Sequence, residues 1–402
     1  MARRNTGSIA LVLAGGGARG AYEAGALSVL LPLLEERGQR PRILVATSAG
    51  AVNASFLAAN AHMPAAQLIP ASLALWESLN WGEVVKPLIS AASLRRVGGY
   101  AGEVLGLPGA RITSLLDSAP LRRTVRQHVD FAQVAKNVSA GVLDAAAVVA
   151  TSALTGRSVV FHDGLESPPD DDLRGIDYVA TALHEEHVLA SAAIPAVFPA
   201  VRVPEPRTAR GWYFDGGTRL NTPIKPALEL GADRVVVVAL NPLAPGRSAQ
   251  LAGPRRPDAL AGAAEILIGF LEDQLLGDVL TLASINQLLV ATRRVTAAGK
   301  RRVPYILVAP SEPDSIAQRA LRVIREHYSG ALQAIGAGDL ALLTRLTAAD
   351  HDTAHAALLS FLLFAPEFAK ALITLGRKDA QRWISQAHDV DDLWQLSPLR
   401  NA

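Results

Sequence analysis

Ser48 stands where a short apolar run, Ile43-Leu44-Val45-Ala46, gives way to the small residues Ala49-Gly50-Ala51 and then to a helical pattern through Phe56 and Leu57. A buried strand, a tight turn and a helix in that order have the layout of a nucleophile elbow. On such a turn a serine hydroxyl projects from the sheet, and the helix behind it aims its positive end at a developing oxyanion. The usual elbow reads Gly-x-Ser-x-Gly, whereas this one begins with Ala46. The pentapeptide alone fits equally a serine that merely caps a helix. A second group, Gly15-Gly16-Gly17-Ala18-Arg19-Gly20, follows the apolar run Ser8 to Ala14 and opens a helical stretch from Ala21 to Leu34. It matches the dinucleotide-binding fingerprint, with Glu35 and Glu36 at the distance of a ribose ligand. The same main-chain amides, turned into a cleft, hold an oxyanion instead. The next strand separates the two uses. In a dinucleotide-binding domain it ends near the ribose-binding acid, and here it ends in Thr47-Ser48-Ala49-Gly50.

Two strand-then-helix units, Ser8 to Leu34 and Arg40 to Ala61, predict the opening of an α/β domain. Residues 64 to 140 read as mainly helical, broken at Pro87, Gly98-Gly99 and Pro108-Gly109. Ala145 to Ser152 and Ser158 to His162 read as strands joined by a hairpin turn, Leu154-Thr155-Gly156-Arg157. Leu189 to Pro199 reads as a small-residue helix stopped by prolines, Arg234 to Leu240 and Pro304 to Val308 as strands, and 242 to 257 as a surface loop. A helical region over 259 to 296 and helices beyond Ser311 complete the chain.

Half of the 402 residues are hydrophobic, enough for a substantial core. A net charge of +2 gives no reason to expect nucleic acid as a partner. The absence of cysteine excludes disulfides, thiolate metal sites and a cysteine nucleophile. Asp170-Asp171-Asp172 reads as a solvated charge run more readily than as a cation site. Ile9 to Ala14 is too short for a secretory signal, and no apolar stretch reaches the roughly 20 residues of a membrane-spanning helix. The expected location is cytoplasmic, with peripheral contact at a membrane.

Four blocks in order carry a resemblance: Gly15 to Gly20, Ala46 to Gly50, the stretch Ser191 to Pro199 ending in Phe198-Pro199, and Asp215-Gly216-Gly217 with Asn221 and Pro223 behind it. Together they resemble the patatin-like phospholipases over residues 8 to 240. The resemblance implies a three-layer α/β/α sandwich with a central, mostly parallel sheet, here carrying a C-terminal helical extension. The chain is accordingly expected to divide into a hydrolase domain over 1–310 and a C-terminal helical extension over 311–402, the latter not explained by the resemblance. The resemblance implies Ser48 as nucleophile, Asp215 as its base, and the amides of Gly15, Gly16 and Gly17, with those near Arg19, as the oxyanion hole. Phospholipid or lysophospholipid esters are the implied substrates, and neither metal nor cofactor is called for.

A carboxylate can serve as the base if it lies within hydrogen-bond reach of the hydroxyl and is partly desolvated. A histidine-containing triad is the rival, and His327, His351, His355 and His388 follow Asp215 in the order that mechanism requires. His162, His184 and His187 read as surface or structural. Arg19, Arg95 and Arg96 are candidates to meet a phosphate, and Trp76, Trp81 and Leu88 to cover a pocket. Other readings are a dinucleotide-binding oxidoreductase using the glycine loop and a catalytically silent lipid-binding relative.

Overall fold

The fold follows from a computed structural model, which describes residues 7–85, 116–242, 275–292, 296–297, 300–328 and 353–397. The first strand, β1 (Ile9–Leu13), is buried along its whole length, as its uncharged β-branched and aliphatic composition requires. Helix α1 (Gly20–Glu36) follows the glycine loop, then β2 (Ile43–Thr47) and α2 (Ala49–Ala59), so both strand-then-helix units form where the sequence puts them. Helix α3 (Ala65–Ser78), the single turn α4 (Trp81–Val84), α5 (Ala119–His128) and α6 (Phe131–Ser139) account for the described part of the helical stretch. Its expected breaks from Pro87 to Gly109, with Leu88, Arg95 and Arg96, lie outside the described residues.

Strands β3 (Ala145–Ser152), β4 (Ser158–Asp163) and β5 (Ile176–Ala180) come next, then helix α7 (Glu185–Ser191). The expected helix from Leu189 to Pro199 is therefore corrected: the helix ends at Ser191, and Pro195 with left-handed Ala196 (φ 66°) holds the rest in turns. A short pair, β6 (Val201–Val203) and β7 (Gly211–Asp215), precedes α8 (Ile224–Glu229) and β8 (Arg234–Val238). Of the helical region over 259 to 296, the described part is α9 (Leu275–Ala291). A two-residue ladder, β9 (Thr296–Ala297) with β10 (Lys300–Arg301), leads to β11 (Tyr305–Val308), and α10 (Ser315–His327), α11 (Thr353–Leu362) and α12 (Pro366–Ile384) end the chain.

The main sheet runs β11-β8-β1-β2-β3-β4-β5, and β7 pairs with both β3 and β6. From β11 through β3 every pairing is parallel; β3 meets β4 and β7 in antiparallel fashion. Helices cover both faces, giving the α/β/α layering expected of a buried parallel sheet. One apolar core joins β1, β2, β3 and β8 to Phe368, Leu372 and Trp383 of α12. Helix α12 packs along α1 with backbone nearly against backbone. A Cβ on Gly25 would meet the Ile373 carbonyl at 2.2 Å, and one on Gly376 the Tyr22 carbonyl at 2.1 Å. Among the described residues no single helix is long and apolar enough to cross a membrane.

Candidate active site

The register of β3 decides what stands beside Ser48. Thr47, the last residue of β2, pairs with Val149, and the next position along that flank of β3, Ala150, pairs with Asp215 of β7. Strand β2 turns away at Ser48, and the end of β7 takes the place a longer β2 would have filled. The Ser48 hydroxyl consequently donates to Asp215 Oδ2 at 2.6 Å, with both residues buried. Gly216 lets the aspartate turn lie this deep, because a Cβ there would meet the Val149 carbonyl at 2.3 Å.

Ser48 has φ 54° and ψ −122°, a strained main chain of the kind a nucleophile elbow requires. Ala46 is no obstacle, since it lies inside β2 and is absent from the positive-φ positions. Burial pushes the Asp215 carboxyl up to about 7, against the opposing pull of hydrogen bonds from Ser48 and from the Gly217 amide at 2.7 Å. No histidine bonds to Asp215 among the described residues. His388 is held by Gln395 and the Trp383 carbonyl, and His351 lies outside the described residues. His162 and His187 are buried structural residues, the first bonded to Gly164 and Ser167, the second to Glu205 and His184.

The glycine loop lies alongside the pair. A Cβ on Gly15 would come within 2.9 Å of Ser48 Cβ, so only glycine permits this approach. The Gly15 amide donates to the Asn221 carbonyl at 3.2 Å, and Asn221 Nδ2 donates back to the Gly15 carbonyl at 3.2 Å. The Arg19 amide donates to the Gly16 carbonyl at 3.1 Å. The amides of Gly16 and Gly17 have no such acceptor among the described residues. The Arg19 guanidinium is buried, bonded to Ser360 Oγ at 2.8 Å and the Ala357 carbonyl at 3.0 Å, and stacked 3.7 Å from the centre of the Phe361 ring. It therefore anchors α11 over the loop and is not presented to a head group.

Sequence reasoning did not give Ser191 a role. Its hydroxyl accepts the Ser48 amide at 2.8 Å and donates to the Val149 carbonyl at 2.6 Å, while the nearby Ala193 carbonyl accepts the Asp215 amide at 2.9 Å. The last residue of α7 and the turn after it thus hold the main chain of Ser48 and Asp215 respectively. The signal was the Ser191 to Pro199 block itself, whose small residues fit a turn wedged between two strands.

Ser48 opens onto an apolar slot lined by Val52, Trp76, Val125, Ile194, Phe198 and Phe361, among others. About 640 Å3 lies between its atoms, counted to the mouth, but only about 40 Å3 is wide enough for the centre of a water molecule. Trp76 is locked in the wall: its indole N–H donates to Asn53 Oδ1 at 2.7 Å, and Asn53 Nδ2 donates to Glu23 at 2.8 Å. Burial drives the Glu23 carboxyl well above the usual carboxylate range. A roomier cleft, with about 920 Å3 between its atoms counted in the same way, lies beyond His128 and Val129, but it is polar and does not include Ser48. No group of three His, Asp or Glu residues able to hold a metal ion occurs among the described residues. Asp171 and Asp172 of the acidic run are paired instead with Lys225 at 3.0 Å and Arg157 at 3.2 Å.

Among solved structures, the chain is similar to VipD from Legionella pneumophila, at 13% identity and a TM-score of 0.31, covering 76% of this chain and 61% of that one. It is also similar to ExoU of Pseudomonas aeruginosa, solved in complex with SpcU, at 16% identity and a TM-score of 0.28, covering 96% of this chain and 72% of that one. A comparison with curated proteins finds no match. A family model, "Patatin-like phospholipase", aligns with residues 11–228, which contain the elbow, the glycine loop and the aspartate turn. Because that alignment takes in more than half of the chain, the chain belongs to the patatin-like phospholipase family.

Proposed function

We propose that the protein is a serine-dependent lipid acyl hydrolase of the phospholipase A or lysophospholipase type, with Ser48 as nucleophile and Asp215 as base. The observation that carries this reading is the buried hydrogen bond of 2.6 Å from Ser48 Oγ to Asp215 Oδ2, at the mouth of an apolar slot. Asp215 takes the hydroxyl proton as Ser48 Oγ bonds to the ester carbonyl carbon. The amides of Gly16 and Gly17, which have no main-chain acceptor among the described residues, are the proposed donors to the resulting oxyanion. On collapse the ester C–O bond breaks, the leaving alcohol takes the proton from Asp215, and the acyl group stays on Ser48. Water then attacks the acyl-enzyme and gives a proton to Asp215, which passes it to Ser48 Oγ as the acyl–serine C–O bond breaks, releasing the fatty acid and restoring both residues. The narrow slot suits a polymethylene chain and excludes bulky acyl groups. Family membership removes the ground for reading the glycine loop as a dinucleotide site.

The test is covalent labelling with a fluorophosphonate, located by peptide mapping, on wild type, Ser48→Ala and Asp215→Asn. The expected result is labelling at Ser48 in wild type, none in Ser48→Ala, and a rate lowered at least about 100-fold in Asp215→Asn. A folded wild type that does not label supports the silent lipid-binding relative instead.

A further inference from the structure

We propose that three loop tips at the Ser48 end of the sheet form a docking surface for a lipid bilayer with anionic head groups. The tips carry Leu154, Leu173 and Trp212, which are 93%, 100% and 57% exposed. They are three of the seven large hydrophobic side chains exposed among the described residues. Scattered exposure of this kind needs no explanation, but these three gather at one end of the molecule.

The pairing of the strands shows why. Strand β2 delivers Ser48 at its carboxyl end, and β3, parallel to it, runs on past that level to Ser152. The turn after β3 carries Leu154. Strand β4 returns antiparallel from Ser158, and β5, parallel to β4, begins at Ile176 beside Ser158. A bridge between Asp171 and Ile176 folds the preceding residues into a tip with Leu173 at its turn. Strand β7 runs antiparallel to β3 and ends at Asp215, so Trp212 lies three residues farther out on the same side. The Ala153 amide donates to the Trp212 carbonyl at 2.9 Å, which fixes the first and third tips together.

Charge selects the partner. Arg202 is the cross-strand partner of Trp212, and residues opposite each other in an antiparallel pair project to one face. Arg202, Arg207 and Arg210 are exposed, none has an ion pair among the described residues, and Glu205 is the acid among them. Near Leu173 the charge is different: Lys225 is shared by Asp171 and Glu229 and Arg157 by Asp172 and Asp177, so the basic part of this end is the one beside Trp212. Exposed leucines beside a tryptophan flanked by arginines that have no ion pair among the described residues suit the boundary between acyl chains and anionic head groups, where apolar burial and head-group attraction act together. A bilayer met at this end lies next to the elbow. The choice of a lipid surface rests on the lipid-ester reading of the Ser48 site; the clustering of the tips does not.

The test is sedimentation of the full chain with vesicles of phosphatidylcholine alone and of phosphatidylcholine with about 30 mol % phosphatidylserine, paired with turnover of a water-soluble short-chain ester. Wild type, Ser48→Ala, the triple variant Leu154→Ser, Leu173→Ser, Trp212→Ser, and a second triple variant Arg202→Gln, Arg207→Gln, Arg210→Gln are compared. The apolar variant is expected to lose about 100-fold in partitioning to both vesicles, with soluble-ester turnover within about twofold of wild type. The arginine variant is expected to lose about 10-fold or more on the anionic vesicles and little on the neutral ones. Ser48→Ala should sediment like wild type. The proposal is overturned if wild type sediments with neither vesicle, as it would if the tips served a protein partner, or if the apolar variant partitions within threefold of wild type. Wild type that binds vesicles but turns over no soluble ester would sink the hydrolase reading and leave the docking surface standing.

Discussion

An aspartate of ordinary acidity holds protons too weakly to take one from a serine hydroxyl at neutral pH, so its value as a base depends on what burial does to it. With the Asp215 carboxyl pushed up to about 7, the base form grows in through neutrality. Labelling of Ser48 and turnover of a neutral ester are therefore expected to fall about tenfold per pH unit below about 6 and to level off above about 8. A flat profile between pH 5 and 8 would remove Asp215 from the base role. Linkage gives an independent check. The group binds its proton more tightly folded than unfolded, so its contribution to stability is fully present below about pH 4 and is lost as pH rises through 7. The stability of wild type relative to Asp215→Asn should decline over that window by at most about 4 kcal/mol, read from urea unfolding at each pH. On the proposed mechanism Ser191 acts as a positioning residue, through its hydrogen bond to the Ser48 amide. Ser191→Ala leaves the buried Ser48 amide without its acceptor, at about 1–3 kcal/mol, and frees a strained turn. Its kcat is expected to drop about 10- to 100-fold with KM nearly unchanged, while Ser191→Thr, which keeps the hydroxyl, recovers most of it. Equal losses in the two variants would point to packing instead.

Among the elements, α11 bears most directly on the glycine loop, and nothing local in the sequence announces it. Gly17 has φ +56°, and a Cβ there would meet the Phe361 carbonyl at 2.2 Å. Gly17→Ala is therefore expected to cost about 1–3 kcal/mol from backbone strain and to push α11 off the loop. Measured by thermal unfolding and labelling rate, it should lose both stability and at least about tenfold in reactivity; a neutral effect would mean that α11 does not seat on Gly17 in solution. The elements around Ser48 were legible because each is decided locally. Apolar runs bounded by glycine marked β1 and β2 to within a few residues, and small residues marked the elbow. Asp215 was legible through its block, but the register that places it opposite Ala150 is a long-range pairing that periodicity does not encode. The same holds for Arg19. Its position on the loop suggested a head-group contact, and partners more than 300 residues away, Ser360 and Ala357, decided its use.

At the scale of the whole molecule, the boundary expected near residue 310 runs through a continuous core. Phe368, Leu372, Ile373 and Trp383 of α12 are buried against residues of α1 and the sheet, and Tyr22 of α1 donates to Asp379 at 3.1 Å. Removing residues 311–402 would expose the face of α1 that meets α12 and the edge strand β11, whose Tyr305 exchanges two backbone hydrogen bonds of 2.9 Å with Gln395. Each large apolar side chain stripped of its partner forfeits roughly 1.5–3 kcal/mol, so four such contacts match the entire stability of an ordinary domain, about 5–15 kcal/mol. A fragment of residues 1–310 is accordingly expected to lack a cooperative thermal transition and to aggregate, while the full chain melts in a single transition. If the fragment folds and labels at Ser48, the C-terminal helices are an appendage, as the reading of two units over 1–310 and 311–402 has it. If it does not, α12 is part of the layer that covers the sheet, and the close approach of α1 and α12, at Gly25 against Ile373 and at Gly376 against Tyr22, is what joins the two segments.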